Sequence, residues 1–132
     1  RLRLRYPSSV LDSRRRRDDL KIHEENKGDV LIIRLSGKVI GGPDLMELKT
    51  AFQNAVNHDR LKVLLDLGHV SWMDSSGLGV IVSGHTTVKK AGGEMKILNA
   101  TKKIHELFII TKLITVFETF RDEEEALQSF ED

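Results

Sequence analysis

From Leu20 onward, short aliphatic runs alternate with stretches whose apolar residues recur every three or four positions, and this alternation constrains the fold more than any other feature. The runs "LKIHEE" and "DVLIIRLSG" flank Asn26-Lys27-Gly28-Asp29, a turn-rich tetrapeptide that predicts an antiparallel hairpin. The period then changes. Leu45, Leu48, Phe52, Ala55 and Val56 mark an amphipathic helix, with Pro43 suited to its first position. "LKVLLDL", residues 61 to 67, reads as a strand buried on both faces. Leu78, Ile81, Val82, His85 and Val88 mark a second helix that ends near "KKAGG", where cations suit the negative end of the dipole and Gly92 suits the stop. "EMKIL" is a further strand, and Thr101 caps a helix with Ile104, Leu107 and Phe108 on its buried stripe. "TVFETF" reads as a short strand and "DEEEALQSF" as an acid-led final helix.

The order β-β-α-β-α-β-α-β-α predicts an α/β fold: a mainly parallel or mixed sheet of four to five strands with about four helices. Ligands and partners usually meet such sheets at the carboxyl ends of the strands. At 132 residues and 39% apolar content, the chain suits one domain. It has no cysteine, which excludes disulfides, thiolate zinc sites and thiol catalysis. No apolar run reaches the roughly 18 to 20 residues of a membrane span. A soluble, cytoplasmic chain is the expectation.

The formal charge of +1 hides an asymmetry. Residues 1 to 19, "RLRLRYPSSVLDSRRRRDD", hold seven arginines and three aspartates, leaving −3 for the remainder. With Arg14 to Arg17 in a block and no periodic apolar face, this segment reads as a basic tail, unstructured or a remnant of start-site choice or expression. The folded domain is expected over residues 20 to 132. Clustered arginines suit phosphate, but direct nucleic-acid binding is not the expectation here.

The junction "VSWMDSSGLGVIVSG", residues 70 to 84, sits between the third strand and the second helix. A helix start leaves backbone N–H groups unpaired and carries about half a positive charge, so an oxygen from Asp74, Ser75 or Ser76 has a capping role there. The same geometry accepts a phosphate esterified to a serine at or just before the first turn. Gly77 and Gly79 are expected to keep the surface low for a partner's backbone. Trp72 and Met73 read as anchors of the loop on the core, His69 as a loop residue and His85 as a helix-face residue.

"LLDLGHVSWMDSSGLGVIVSG" together with "KKAGGEMKILNATKKIHELFIITKLITVFETF" resembles the STAS domain of bacterial anti-sigma factor antagonists, from about Leu20 to Phe130. The resemblance implies a non-enzymatic regulator in which Ser75, the first serine of "DSSGLG", is phosphorylated by an anti-sigma factor serine kinase of the histidine-kinase-like ATPase type. Ser76 is the second choice. Unphosphorylated protein binds the kinase and frees a sigma factor; the phosphorylated form lets go until a PP2C-type phosphatase restores it. Ile40, Gly41, Gly42, Asp74, Ser76, Gly77 and Leu78 then border the partner surface. The family often carries an acid in a "G-x-[LIV]-D" pattern after the second strand, where this chain has Gly37, Lys38, Val39 and Ile40, with Asp44 further on. No cofactor or metal is implied, and a homodimer is compatible. Related roles are a scaffolding STAS protein of a stressosome-like assembly and a ligand-binding or transport-associated STAS subunit.

Other chemistries fit less well. A response-regulator receiver would make Asp66 the phosphoacceptor, but the acidic pair at the end of the first strand and the later Lys-Pro are missing. The serine-hydrolase pattern G-x-S-x-G is absent, because Met73 and Asp74 stand two residues before Ser75 and Ser76. Gly77-x-Gly79 lacks the third glycine of a dinucleotide loop and the Gly-Lys-Ser/Thr of a P-loop. Glu123, Glu124 and Glu125 read as a solvated helix start rather than a metal cluster.

Overall fold

A computed structural model describes residues 18–131. The Arg14–Arg17 block and most of the basic segment lie outside the described residues. The elements run β1 (Lys21–Lys27), β2 (Val30–Val39), α1 (Pro43–Asn57), β3 (Lys62–Met73), α2 (Ser75–Lys90), β4 (Glu94–Leu98) and α3 (Lys102–Ile110). A 3-10 turn (Leu113–Thr115), β5 (Thr119–Phe120) and α4 (Glu123–Ser129) complete them. The five strands form one sheet in the order β1-β2-β3-β4-β5. Only the β1–β2 pair is antiparallel, closed by a turn in which Gly28 has φ 62.

Strand alternation distributes the core over two faces. Leu31, Ile33 and Leu35 of β2, Val63, Leu65 and Leu67 of β3, and Met95 and Ile97 of β4 share one apolar cluster. Against it pack Leu45, Leu48, Phe52 and Ala55 of α1, Ile81 and Val88 of α2, and Ile104 and Phe108 of α3. The intervening residues Val30, Ile32, Leu64 and Leu98 form a smaller cluster with Ala126 and Phe130 at the C-terminal helix α4. Both faces of β2, β3 and β4 are therefore buried, which is why these strands read as near-continuous aliphatic runs.

β3 extends well past the expected residues 61 to 67. Its pairing with β4 ends at Asp66–Leu98, whereas pairing with β2 continues to Val39–Met73. Register shifts between Arg34 and Ser36 and between Gly37 and Lys38 leave two extra residues on β3, as in β-bulges. Beyond Leu67 only Val70 and Met73 are buried, so the aliphatic run stops where the strand loses its second neighbour although the strand itself continues. His69 consequently lies on β3, exposed, and not in a loop.

The 119–120 strand is shorter than "TVFETF" suggests, because residues 113 to 115 form the 3-10 turn. Glu123 is also not simply solvated. It accepts hydrogen bonds from Arg34 and Lys27, while Arg34 also pairs with Glu25 and the buried Asp66. At the other end of α4, the buried Lys96 ammonium donates to Ser129 O and Oγ and lies over the Phe130 ring, 4.6 Å from its centroid.

Candidate functional site

Three segments meet at the carboxyl end of β2 and β3: the turn after β2, the start of α2, and residues 18 and 19. Met73 ends β3 and is fully buried, so the chain enters α2 from a fixed point. Asp74 is the N-cap. Its Oδ1 accepts from Gly77 N at 2.8 Å and its Oδ2 from Gly41 N at 3.1 Å. One carboxylate therefore satisfies an orphan donor of the helix and an amide of the preceding turn. These two amides hold the Asp74 carboxyl below its ordinary range, Gly77 contributing most.

With the cap supplied by Asp74, Ser75 and Ser76 occupy the first two helical positions and both are exposed. Among the described residues, no side-chain hydrogen bond ties down the Ser75 hydroxyl. Ser76 faces the β2–α1 turn: a Cβ on Gly41 would stand 3.4 Å from Ser76 Oγ. The dipole of a 16-residue helix makes the Ser75 position favourable for a dianionic group.

The other expected surface residues divide. Ile40, Gly41 and Gly42 are exposed and line a cleft of about 320 Å³ with Asp18, Asp19, Leu20, Lys38, Pro43 and Asp44. Asp44 thus shares the surface of Ile40, which occupies the position where an acid was expected. Leu78 is half-buried. Gly77 departs from the expectation: it is buried, and a Cβ there would collide with Val39 O. The backbone that approaches it closely is the chain's own, so Gly77 offers no surface to a partner. Gly79 is the open one, with nothing within 4 Å of where a Cβ would stand.

Trp72 is 40% exposed, not a core anchor, and Lys103 of α3 lies 5.7 Å from its ring centroid. His85 packs edge-on against Phe117 at 5.3 Å, and burial together with Lys89 pushes its imidazole below its ordinary pKa. Asp66, the receiver-like candidate, is buried, with Arg34 and Gly68 N bonded to its two oxygens. It is a structural acceptor. Among the described residues, no group of His, Asp and Glu could hold a metal ion, and no helix is long and apolar enough to cross a membrane.

The sequence did not reveal the contribution of residues 18 and 19. Lys38 N donates to Asp18 O at 2.8 Å, and Gly37, at φ 90, lies so close beneath the Asp18 and Asp19 carbonyls that a Cβ would collide with them. The only signal for this crossing was the glycine itself, inside an otherwise strand-like run.

Comparison with known proteins gives a consistent result. Residues 21–126 match the STAS domain family. An anti-sigma F factor antagonist from Paenibacillus polymyxa is 30% identical over 114 residues, covering 86% of this chain and 97% of the relative. In fold, an anti-sigma factor antagonist from Mycobacterium paratuberculosis superposes with a TM-score of 0.76 at 19% identity, over 89% of this chain and 98% of the other. The Bacillus cell fate determinant SpoIIAA in its phosphorylated form superposes with a TM-score of 0.65 at 19% identity, over 84% and 98% of the two chains.

Proposed function

The chain belongs to the STAS-domain family of anti-sigma factor antagonists, and from that premise we propose that it is a cytoplasmic, non-enzymatic partner-switching regulator whose switch is Ser75. Unphosphorylated, it binds an anti-sigma factor serine kinase of the histidine-kinase-like ATPase type and so frees a sigma factor. In the off step, the γ-phosphoryl group of ATP passes to Ser75 Oγ, with release of ADP and the hydroxyl proton. A PP2C-type phosphatase hydrolyses the ester and returns the protein to the binding state.

The observation that carries this reading is the division of roles at the start of α2. Asp74 accepts from both nearby backbone amides, so the exposed Ser75 is not needed for capping and is open to modification. The phosphorylated form of the structural neighbour SpoIIAA agrees with a phosphorylation switch on this fold. The docking surface comprises Ile40, Gly41, Gly42, Ser76 and the exposed part of Leu78, with Asp74 holding the two segments in register. A phosphate at Ser75 places close to two further negative charges at the edge of that surface, which opposes an acidic or apolar partner face. The helix terminus stabilises the phosphate within the fold, so the surface changes while the core does not.

The test is incubation with an anti-sigma factor kinase of this type and ATP, followed by intact mass measurement and site mapping. The expected result is a gain of ~80 Da on Ser75 that is lost in Ser75→Ala. Modification confined to Ser76 would move the switch by one residue. If no such kinase modifies or binds the protein, and Ser75→Asp leaves every interaction unchanged, the switch reading fails.

A further inference from the structure

We propose that the chain binds the surface of an anionic lipid bilayer through the turn that follows α3, at the end of the sheet opposite Ser75. α3 leaves the carboxyl end of β4, and β5 lies parallel to β4, so the chain between them returns to the amino end of the strands. Residues 109 to 116, "IITKLITV", make that return. The end that carries Ser75 therefore stays turned to water while this end meets the lipid.

Six large hydrophobic side chains are exposed among the described residues, and three of them fall within these eight positions: Ile110 at 76%, Ile109 at 52% and Val116 at 47%. Exposed aliphatics gathered in this way mark an interaction surface, where scattered single ones would not. Leu113 and Ile114 lie between them, half-buried and packed against the main core. They fasten the patch to the fold. The hydroxyls of the segment are spent within it: Thr111 Oγ1 donates to Leu107 O at 2.7 Å, and Thr115 Oγ1 to Lys112 O at 2.8 Å. No hydroxyl proton is left for a partner to read.

Charge selects the occupant. Lys112 is the one charged residue from position 107 to 117, and the exposed Lys89 and Lys90 close α2 at the same end of the sheet. Lys89 stands one turn beyond His85, whose ring meets Phe117 at 5.3 Å, and Phe117 follows Val116 directly. Glu94 and Glu118 are turned to Lys96, at 3.6 and 3.4 Å, on the face of the sheet that α4 covers, whereas α3 packs on the other. Glu106, one turn before Ile110, is then one carboxylate against three ammonium groups. A protein interface pairs directional polar groups, about one hydrogen bond per 100 to 200 Å². This patch offers aliphatic surface beside a cationic rim, which suits an acyl boundary beneath anionic headgroups. With so few side chains engaged, the contact is superficial and reversible.

The test uses a single label on the full chain, which has no cysteine of its own. Ile110→Cys carries an environment-sensitive nitrobenzoxadiazole group on the patch, and Met46→Cys carries the same group on an exposed site in the first turn of α1. Each is titrated with vesicles of equal parts phosphatidylglycerol and phosphatidylcholine, and with vesicles of phosphatidylcholine alone. A blue shift is expected at position 110 with the anionic vesicles and none at position 46. Ile109→Ser should weaken the binding about tenfold, and Lys89→Gln with Lys112→Gln about twentyfold, roughly fivefold per lysine. Sedimentation with the vesicles but no shift at position 110 would overturn the proposal, by placing the contact on another part of the chain. Equal shifts at both positions, or equal affinity for the neutral vesicles, would also overturn it. A shift that grows with protein concentration in the absence of lipid, with a dimer in ultracentrifugation that Ile109→Ser abolishes, would give the patch to a second copy instead.

Discussion

The amide of Gly41 donates to Asp74 Oδ2 at 3.1 Å, so the turn after β2 and the first turn of α2 are held by one carboxylate. Its other oxygen accepts from Gly77 N. A change in either segment is therefore transmitted to the other through a rigid three-point contact, which is what a docking surface built from both requires.

Asp74→Ala removes the cap and the cross-link together, and is expected to lower unfolding free energy by about 1 to 2 kcal/mol, in the range of N-cap losses. Chemical denaturation at pH 7 measures it. The sign of the pH effect follows from the depressed pKa of Asp74. A carboxyl whose folded pKa lies below its unfolded value contributes stability that is fully present above the unfolded pKa, near 3.9. That contribution is lost as pH falls through the folded value. The gap between parent and Asp74→Asn should accordingly narrow on acidification, and a constant gap from pH 7 to pH 2 would remove the linkage.

Phosphorylation of Ser75 should leave the fold in place. A dianion at the first turn of a helix is favoured by ~0.3 to 1 kcal/mol, so the melting temperature of phosphorylated protein is expected to be unchanged or slightly raised. Calorimetry of the two forms decides this, and a fall of more than about 5 °C, the size of a 1 kcal/mol loss in a domain like this, would mean that the phosphate disrupts the core instead of the surface.

The two glycines of "GLG" separate cleanly. Gly77→Ala forces a Cβ into Val39 O, backbone that cannot rotate away, and should cost about 2 kcal/mol or more. Gly79 lies in the same helix with open space around it, so Gly79→Ala should gain about 0.5 to 1 kcal/mol from helix propensity. Urea midpoints of the two variants should therefore move in opposite directions. From the sequence alone both glycines looked like surface devices.

That difference shows how far the sequence was legible. The element order, the hairpin turn, the cap at Thr101 and the parallel centre of the sheet follow from local periodicity and capping chemistry, which act within a few residues, whereas the choice of Asp74 over Ser75 and Ser76 as the second cap came from the structure. Hidden features were contacts between distant segments. Gly77 against Val39, Gly37 under Asp18, and Trp72 beside Lys103 all depend on which strands become neighbours. The end of β3 was missed for the same reason: its last residues alternate weakly because β4 stops at Leu98, a fact about the neighbouring strand. At the site, the DSSGLG stretch was visible at once, but only the structure supplied Gly41 as the second donor to Asp74.

Helix packing offers another test. Gly84 of α2 faces the ring of Phe52 in α1, and a Cβ there would meet three ring carbons. Gly84→Ala is expected to cost about 1 to 3 kcal/mol by overpacking. Phe52→Leu in the same chain makes room and should recover part of that loss, so the double-mutant cycle should show a coupling above ~0.5 kcal/mol. Strict additivity would mean that the helices adjust without using this contact.

Arg34 sets the last prediction, because it joins four elements: its guanidinium reaches Glu25 of β1, Asp66 of β3 and Glu123 of α4 from its own place on β2. Asp66 is buried and its second oxygen is committed to Gly68 N, so Arg34→Met leaves a buried carboxylate without its counter-ion. Removing one partner of such a pair costs about 3 to 5 kcal/mol when burial is complete; with the Arg34 side chain 28% exposed, about 2 kcal/mol is the expected loss. Changing Asp66 to Asn in the same chain should restore part of it. The pH dependence has a definite sign: hydrogen bonds from Arg34, then Lys27, hold Glu123 below its ordinary pKa. Its contribution is present above the unfolded value near 4.3 and disappears as pH falls through the folded one. Acid should therefore loosen α4 first. Amide exchange at pH 3 is expected to rise across residues 123 to 129 before it rises in β3, and Glu123→Gln should show that loosening already at pH 7. Simultaneous exchange of α4 and β3 at both pH values would instead make the ion network irrelevant to how this helix is held.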